Sequence, residues 1–511
     1  MIPTSALTVV QSLRYAVPEL AMAVGALFVL VWDLLARGRA RRVGVFAVAL
    51  VALAVAAFAC VRQLAVTPRL PLPAVLFDGQ LACDSYACVF RLLFATVTAL
   101  VILAAVPASP RQKGGEGALA EIVVLLLLAC VGMSLMAMAR TLLLVYLAIE
   151  LVSVPSFILA ALRSRDRAGP EAALKYALYG SVASGAMLYG MSWIYGMSRS
   201  LVLSEIAERV VSMTKEQGHL PNAFVIGIAC VMAGLAYKIA AAPFHMWAPD
   251  VYEGAPTLVA AFLSVGPTAA GFALLVRFFR EGLGAQAAAA EPRAAWGILA
   301  GSLAVATMTI GNLSALSQTN VKRLLAYASI AQVGTMLLAF AVFDDEGVAA
   351  LAFYLVAYCA MNLGAFLVVL AVGEGSDGDE SVDAFRGLGE RAPAIAAAFA
   401  IFLVSLVGLP PFAGFVGKLY VLLALLRAPS DYHGWYWFLA CACVANTALS
   451  LVYCARLLRT MYLERAPEGE RVSVAPLHAT MALLLTVPTV ILGLWWGPLY
   501  DFVSQRVAVS P

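Results

Sequence analysis

The sequence predicts an all-α polytopic membrane protein with about fourteen transmembrane helices. Of its 511 residues, 63% are hydrophobic and only 12% are charged, whereas a soluble domain is about half apolar and about a quarter charged. The apolar residues form continuous runs of about twenty, which is the length of a membrane-spanning helix. They do not alternate with polar residues as barrel strands do. The composition therefore excludes a soluble enzyme, a disordered chain and a porin-type barrel.

The predicted spans follow one another through short loops, which leave no room for a soluble catalytic domain. They begin near Val17, Val43, Ala87, Ala118, Thr141, Glu171, Asn222, Pro256, Ala294, Val321, Val348, Ala394, Trp435 and His478. Within the longer polar stretch Met197–Pro221, the segment Leu201–Lys215 has spaced apolar residues among charges and is predicted as an interfacial amphipathic helix. The first apolar run lacks a basic n-region and a cleavage site, so we expect a retained span and not a signal peptide.

The basic loops predict the orientation of the chain. Most clusters of basic residues follow odd-numbered spans and share one side, which should be the cytoplasm. These residues are Arg37, Arg39, Arg41, Arg42, Arg111, Lys113, Arg163, Arg165, Arg167, Arg386, Arg391, Arg456, Arg459, Arg465 and Arg471. With an even number of spans, both termini then face the outside. The lack of a transit-like start favours a prokaryotic plasma (inner) membrane.

The use of lysine points to a function inside the membrane. Lysine and arginine together number 33, and six of these residues are lysines. Four of the six lie within or at the edge of apolar runs, at Lys175, Lys238, Lys322 and Lys418. Arginine stays charged at any working pH, whereas a desolvated lysine can lose its proton. Because a charge at the bilayer centre costs about 2.5 kcal/mol or more, intramembrane lysines usually mark an ion or proton path.

Glu150 is an acidic residue inside the membrane that could pair with these lysines. It lies in the middle of the span TLLLVYLAIELVSVPSFILAAL, with no other charge within reach along the helix. Such a residue forms either a functional site or a structural ion pair that orients two helices. Lys238 and Lys418 are equally deep in their spans. We therefore predict that Glu150, Lys238 and Lys418 take part in proton transfer.

Two further lysines have an alternative explanation. Lys175 follows Glu171 by one helical turn, so the pair fits either an i,i+4 salt bridge or a proton-transfer site. Lys322 opens a span on the cytoplasmic side next to Arg323, so it fits either positive-inside anchoring or proton transfer.

Prolines interrupt two of the lysine-bearing spans. Pro243 follows Lys238, and Pro410 and Pro411 precede Lys418. Proline inside a helix frees a carbonyl group and kinks or breaks the helix. Broken helices in comparable places of two halves are typical of transporters built from repeats. Two kinks that serve packing alone are the alternative.

His245 follows the first of these breaks and could either relay a proton or cap a freed carbonyl. No cofactor or metal site is predicted for this chain. The four histidines are dispersed, no CxxC pair occurs, and neither a GxGxxG nor a Walker motif follows a strand. Cys83 and Cys88 lie near a loop, and a disulfide between them is the minor alternative to two buried thiols.

Three segments resemble subunit N of proton-translocating NADH–quinone oxidoreductase, the respiratory complex I. They are AYKIAAAPFHMWAPDVYEGAPTLVAAFLSVGP (Ala236–Pro267), NVKRLLAYASIAQVG (Asn320–Gly334) and LVGLPPFAGFVGKLYVL (Leu406–Leu422). They mark the wider antiporter-like superfamily, and VYEGAPT (Val251–Thr257) is similar to subunit N in particular. The resemblance covers essentially the whole chain.

The resemblance implies one membrane domain with two inverted five-helix repeats, each with one broken helix. The expected parts are 1–116 for three N-terminal helices, 117–282 and 292–465 for the two repeats, and 476–511 for a C-terminal helix. It also implies that Glu150 pairs with Lys238, that Lys418 leads to the outer exit, and that Lys175 and His245 belong to the same path.

Thr268 departs from the pattern of the family. Relatives usually carry a lysine in the eighth span, in a phrase like SVGPKAAGF, where this chain reads SVGPTAAGF. A hydroxyl group can hydrogen-bond in a water chain but cannot hold the charge. Either water and Thr268 bridge the two half-channels, or this subunit conducts poorly.

The resemblance implies a subunit without a redox centre that couples quinone reduction elsewhere in the complex to proton transfer. NADH, FMN, iron–sulfur clusters and quinone are then expected in other subunits, and the partners are the other antiporter-like and small helical membrane subunits. Three alternatives stay open: a cation/proton antiporter of the same superfamily, a subunit of another redox-driven pump, and a passive scaffold. A net charge of +3 is too small to indicate nucleic-acid binding.

Overall fold

The computed structural model describes residues 8–66, 74–108, 119–162, 168–283, 291–375, 378–428, 433–466 and 474–507. Six of the basic residues used for orientation lie outside these ranges. They are Arg111, Lys113, Arg163, Arg165, Arg167 and Arg471.

Helices make up nearly all of the described structure. The N-terminal part contains α1 (Val9–Tyr15), α2 (Val17–Leu35), α3 (Gly38–Val66) and α4 (Ser85–Ala108). The next part contains α5 (Leu119–Met138), α6 (Leu142–Ala160), α7 (Ala168–Ser198), α8 (Leu203–Gln217), α9 (Asn222–Lys238), α10 (Trp247–Gly254) and α11 (Thr257–Gly282). It is followed by α12 (Glu291–Ala315), α13 (Val321–Ala341), α14 (Asp345–Gly375), α15 (Leu388–Arg391), α16 (Pro393–Val407), α17 (Ala413–Arg427) and α18 (His433–Tyr462). The chain continues with α19 (Pro476–Leu494) and α20 (Gly497–Arg506).

A helix lies at the position of each predicted span. Eleven helices of the described chain are long and apolar enough to cross a membrane, and α9 and α16 are shorter apolar helices. This confirms a multi-pass helical membrane protein, while the count of fourteen spans stays a prediction. The predicted amphipathic segment Leu201–Lys215 is helical as α8, which begins at Leu203.

The prediction of an all-α chain missed a small hairpin. Strands β1 (Ala74–Leu76) and β2 (Leu81–Cys83) pair antiparallel between α3 and α4. Their turn contains Phe77, Asp78 and Gly79, all with positive φ. The Asp-Gly pair favours such a turn, but strands of three residues are too short to give an alternating pattern.

The two predicted helix breaks are confirmed. Between α9 and α10 the chain leaves the helix around Pro243, and between α16 and α17 it does so at Pro410 and Pro411. A cis peptide bond joins Ala242 to Pro243, and another joins Pro410 to Pro411. Other prolines stay within continuous helices, at Pro155 in α6, Pro267 in α11 and Pro488 in α19.

The two halves also share details that the repeat hypothesis leads us to expect. Thr141 caps the N-terminus of α6 and forms a β-bridge with Val202, and Asn320 caps α13 and forms a β-bridge with Ser381. The long helices α7 and α14 each have 31 residues. These parallels support the proposed repeats, whose boundaries stay predictions.

The centre of the molecule is formed by α11, α13 and α14. In their most apolar windows, 100%, 94% and 83% of the residues are buried, against about a third to two thirds in most other spans. Polar side chains on these three helices are therefore shielded from lipid, as intramembrane polar groups need to be.

Gly493 allows α19 to pack against the second break, and its substitution is expected to destabilise the protein. A Cβ added at Gly493 would collide with the Pro411 carbonyl oxygen and would lie 2.6 Å from two Phe412 backbone atoms. We expect Gly493→Ala to cost about 1–3 kcal/mol, as overpacking does. Thermal unfolding of the purified chain in detergent measures this loss. Gly497→Ala is the matched control, because a Cβ there meets nothing within 4 Å. Equal losses in the two variants would contradict the packing role.

Candidate functional site

Lys238 is the last residue of α9 and is only 3% exposed. Its Nζ donates a hydrogen bond to Ser153 Oγ on α6 at 3.1 Å. Ser153 Oγ in turn donates to the Ile149 carbonyl oxygen of its own helix at 2.8 Å. A single neutral hydroxyl group is a weak partner for a buried ammonium group. Among the described residues, no carboxylate lies in contact with the Lys238 ammonium group to compensate its charge.

Glu150 lies on α6 one turn before Ser153 and is partly exposed. Its Oε1 accepts a hydrogen bond of 2.5 Å from Ser184 Oγ on α7. Both Glu150 and Lys238 lie within the described residues, and they form no ion pair within 4.0 Å. The structure thus holds the predicted pair apart, each member on a serine.

Lys418 lies on α17 and is 7% exposed. Its Nζ donates to the Val407 carbonyl oxygen at 2.8 Å, and it is 3.4 Å from both the Leu406 carbonyl oxygen and Thr447 Oγ1. These carbonyl groups end α16, where the break leaves them without helical partners. The break therefore supplies the polar environment that lets a cation reside in the membrane interior.

Gly408 and a small cavity complete the surroundings of Lys418. Gly408 has a φ of +87°, and a Cβ there would lie 2.7 Å from Lys418 Cδ, so only glycine fits. A cavity of about 10 Å³ borders Lys418 and the side chains of Gln332, Asn446 and Thr447. That volume admits the centre of about one water molecule, and the lining offers it several polar partners.

Lys175 is not buried, since its side chain is 40% exposed. The predicted i,i+4 salt bridge is present, with Lys175 Nζ 2.8 Å from Glu171 Oε1. Asp250 Oδ2 on α10 lies equally close, and Asp250 Oδ1 pairs with Arg323 Nη1 of α13 at 2.8 Å. Asp250 thus connects the two halves, and Lys175 belongs to this surface network.

Lys322 is 0% exposed. Its Nζ contacts Glu380 Oε1 at 3.0 Å and the Ala255 carbonyl oxygen at 2.8 Å. Thr257 Oγ1 also donates to Glu380 Oε1 at 3.0 Å. Lys322 is therefore buried against a partly buried carboxylate at the start of α13, and the alternatives of anchoring and proton transfer both stay predictions. The sequence missed the partner because Glu380 lies 58 residues away.

His245 and Pro243 lie in the first break, where Phe244 and Met246 are exposed. The capping role of the His245 ring stays a prediction. Its Nδ1 is buried and finds no hydrogen-bond partner among the described residues. A role in proton transfer stays a prediction.

Thr268 is buried in α11, and its Oγ1 contacts the Leu263 carbonyl oxygen at 3.4 Å. Gly271, one turn later on α11, approaches Lys238, because a Cβ added there would lie 3.5 Å from Lys238 Cγ. Thr268 therefore lies beside the first lysine site, on the helix at the centre of the molecule.

The structure thus divides the predicted residues into groups. Glu150, Lys238 and Thr268 lie around the first break, and Lys418 lies at the second. Lys175 and Lys322 belong to ion pairs near the ends of α7, α10 and α13. Sequence reasoning missed the polar partners, which are Ser153, Ser184, Asp250, Gln332, Asn362 and Glu380. The amides of Gln332 and Asn362 within apolar runs were a usable signal, because such groups are costly in lipid.

Within the described residues, no group of three or more histidine, cysteine or acidic side chains could hold a metal ion. Cys83 and Cys88 are free thiols with their Sγ atoms 3.9 Å apart, so the disulfide alternative is not realised.

Comparisons with known proteins show the family of the chain. The family model described as "NADH:quinone oxidoreductase/Mrp antiporter, TM" matches residues 139–450. The chain is 53% identical over 504 residues to NADH-quinone oxidoreductase subunit N 2 of Sorangium cellulosum, covering 98% of both chains. It is similar to a chain of respiratory complex I from Thermus thermophilus, with a TM-score of 0.76 and 30% identity over 96% of this chain and 100% of that one. A chain of the Mrp complex from Dietzia sp. has a TM-score of 0.81 at 21% identity, covering 97% of both, which shows a shared fold.

Proposed function

The chain belongs to the NADH:quinone oxidoreductase/Mrp antiporter family of membrane proteins, and we propose that it is the proton-translocating N subunit of an NADH–quinone oxidoreductase. The observation that carries the proposal is the placement of Lys238 and Lys418, each buried next to a broken helix and each held by neutral groups. Such lysines cost too much in a membrane protein to serve packing alone.

The first step of the proposed mechanism concerns Glu150 and Lys238. Glu150 lies one helical turn before Ser153, which holds Lys238, so a change of charge at Glu150 would act on Lys238. Quinone reduction elsewhere in the complex would change the charge near Glu150. Loss of the negative charge at Glu150 destabilises the Lys238 ammonium group, which then releases its proton toward Lys418. Ser153 remains a hydrogen-bond partner of Lys238 in both states, because a hydroxyl group donates as well as accepts.

The second step concerns release. Lys418 receives the proton among the Leu406 and Val407 carbonyl oxygens and the cavity bordered by Thr447. A water molecule in this cavity would carry the proton toward the outer exit. Lys418 returns to its neutral form when the proton leaves, and the cycle restarts at Glu150.

In this proposal the chain holds no redox centre, and NADH, FMN, iron–sulfur clusters and quinone bind to other subunits. It lies in the plasma (inner) membrane of a prokaryote with both termini outside. Its neighbours are other antiporter-like and small helical membrane subunits. The orientation is supported by the basic loops that follow odd-numbered spans.

An independent cation/proton antiporter is the second candidate, favoured by the fold shared with the Mrp complex chain. That likeness is at 21% identity and concerns fold alone. The 53% identity to a subunit N over nearly the whole chain supports the oxidoreductase.

The proposed function is tested by purifying the tagged chain from its native membrane in mild detergent and assaying the co-purifying assembly. We expect NADH–quinone reductase activity to travel with the tag, and reconstituted vesicles to acidify when NADH is supplied. A large assembly that uses another electron donor would contradict the proposal in favour of a different redox pump. A chain that purifies alone and exchanges sodium for protons would establish the antiporter.

A further inference from the structure

Four arginines lie within six residues at the connection between α2 and α3. They are Arg37, Arg39, Arg41 and Arg42. We propose that Arg37 and Arg39 bind the phosphate group of an anionic phospholipid, whose acyl chains lie along the exposed faces of α2 and α3. The inference goes beyond the proposed function and does not depend on it. It also holds whichever side of the membrane these arginines face.

Two of the four arginines are engaged within the protein. Arg41 Nη2 donates to Asp33 Oδ2 of α2 at 2.7 Å, and Arg42 Nη2 donates to the Val106 carbonyl oxygen near the end of α4. Both side chains are partly buried. The Asp33 carboxylate compensates the charge of Arg41, whereas a carbonyl oxygen leaves the charge of Arg42 in place. These contacts hold the connection against its neighbouring helices.

Arg37 and Arg39 are available for a ligand. Both are exposed, and neither side chain forms a hydrogen bond or an ion pair with the described residues. The N-terminus of α3, which begins at Gly38, adds partial positive charge to theirs. A guanidinium group binds a phosphate group through two parallel N–H donors. Basic clusters directly beyond the end of a transmembrane helix are typical of sites for anionic lipids.

An apolar stripe of acyl-chain length begins beside Arg39. Val43, Ala47, Val51 and Val55 follow Arg39 at intervals of four residues, so successive members are neighbours on the surface of α3. All of them are exposed. From Val43 to Val55 the helix rises about 18 Å, and one leaflet supplies about half of a hydrocarbon core that is about 30 Å thick. An acyl chain along this stripe therefore spans its leaflet, with the headgroup at Arg39.

The neighbouring end of α2 offers a second apolar surface. Leu34 and Leu35 are 84% and 77% exposed, and Phe28 and Val31, one to two turns earlier, are exposed as well. Charged lipid headgroups need a partner, but the apolar faces need only hydrocarbon. The two helices thus present acyl-chain surfaces that converge on one pair of uncompensated guanidinium groups.

Trp32 fixes the geometry of this corner. Its Nε1 donates to the Ala40 carbonyl oxygen of α3 at 3.1 Å, and its ring fills the space at Gly44, where an added Cβ would collide with it. Trp32 is nevertheless 42% exposed. Exposed tryptophan is enriched at the headgroup level of a membrane. Arg37 and Arg39 therefore lie at the level of the lipid phosphate groups.

The alternative is that these arginines only orient the chain in the membrane. Orientation requires positive charge alone, whereas binding through two parallel donors requires a guanidinium group. The double variant Arg37→Lys with Arg39→Lys separates the two roles, because it keeps the charge that directs insertion. The double variant Arg37→Gln with Arg39→Gln removes both. Arg199→Gln with Arg209→Gln is the matched control, since both residues are exposed and form no ion pair among the described residues.

The first experiment measures binding to the full-length chain in mild detergent. Native mass spectrometry follows the titration of dioleoyl phosphatidylglycerol, with dioleoyl phosphatidylcholine and inorganic phosphate as separate arms. One basic residue near an anionic surface contributes about fivefold in affinity. We therefore expect the glutamine variant to bind phosphatidylglycerol about twentyfold more weakly than the parent chain, the lysine variant to bind it several-fold more weakly, and the control to match the parent chain.

The second experiment needs no substitution. Phosphatidylglycerol with a diazirine group in one acyl chain is added to membranes that contain the assembled protein, and the photoadducts are mapped by peptide mass spectrometry. We expect adducts within residues 27–35 and 43–55, well above those from phosphatidylcholine with the same diazirine group. Adducts on the purified chain that are lost in the assembly would contradict the lipid, because a neighbouring subunit would then cover this face.

The binding experiment can also overturn the site. If the lysine variant binds phosphatidylglycerol as the parent chain does, the arginines act by charge alone. If phosphatidylcholine binds equally well, the headgroup charge is not recognised. If inorganic phosphate displaces the lipid, the corner binds a free anion and the apolar stripes play no part. Equal loss in the glutamine variant and in the control would show that exposed arginines anywhere on the chain attract this lipid.

Discussion

Lys238→Ala is expected to remove nearly all coupled NADH–quinone turnover from an assembled complex. Lys238 is buried at the end of α9, and its only hydrogen-bond partner in the described structure is the neutral Ser153 hydroxyl group. Removing it deletes the group that takes up and releases the proton. We expect coupled turnover to fall by about a hundredfold or more, as for a lost general acid or base. Proton uptake by vesicles driven with NADH measures the loss.

Assembly should survive this change, because alanine leaves no charge unpaired at the site. Glu150 keeps its hydrogen bond from Ser184, so its carboxylate is not stranded. Lys215→Ala is the matched control, since Lys215 is an exposed lysine on α8. Glu150→Gln is expected to lower coupled turnover in the same direction, because it removes the carboxylate charge one helical turn from the Ser153 that holds Lys238. Parent-like pumping in a fully assembled Lys238→Ala complex would contradict the assignment.

The burial of Lys238 and Lys418 could be predicted from sequence because charge in a membrane is costly. That cost singles out Lys238, Lys418 and Glu150 as candidate residues without any structure. The same argument left two explanations open for Lys322 and Lys175, whose positions are near span ends. Only the fold shows that Lys322 is completely buried with Glu380, and that Lys175 is 40% exposed beside Asp250. Burial depends on which helices pack together, and the sequence of one helix does not contain that information.

The two helix breaks show a second limit. The prolines at positions 243 and 411 correctly predicted breaks in their helices. Pro155 and Pro267, however, lie within helices that continue. A helix tolerates proline where neighbouring groups satisfy the freed carbonyl. The breaks need further support, such as the Lys418 ammonium group on the Leu406 and Val407 carbonyl oxygens. That support comes from distant parts of the chain, which is why a proline alone does not distinguish a break from a kink.

Buried polar contacts between helices show a third limit. Ser264, Ser329 and Asn362 do not stand out in the sequence, because serine and asparagine in a span often bond their own helix. The packing of α11, α13 and α14 brings Ser264 Oγ and Ser329 Oγ within 3.5 Å of the Asn362 side chain. Thr268, by contrast, was visible in the sequence as a departure from the family pattern.

Arg277→Met is expected to prevent stable folding of the chain. Arg277 lies on α11 with a side chain that is 0% exposed, and it joins the N-terminal helices to the centre of the molecule. Its Nη1 pairs with Asp84 Oδ2 and Glu281 Oε1 at 2.7 Å each, and its Nε donates to the Ala137 carbonyl oxygen at 3.0 Å. Removing one member of a buried ion network costs about 3–5 kcal/mol, because the remaining charges stay buried without a partner. That is a large fraction of the stability of a typical protein.

The loss at Arg277 should come from the stranded Asp84 carboxylate and not from lost volume, since Glu281 keeps its ion pair with Arg140 at 3.0 Å. Arg277→Met combined with Asp84→Asn is therefore expected to recover part of the stability. Arg427→Met is the matched control, since Arg427 and Glu346 form a 3.6 Å pair with side chains 64% and 51% exposed, and exposed pairs contribute about 0–1 kcal/mol. Yield of monodisperse chain in detergent and its unfolding temperature measure both variants. An Arg277→Met protein as stable as Arg427→Met would show that this network does not hold α4 against α11, since Asp84 would then tolerate burial without its ion pair.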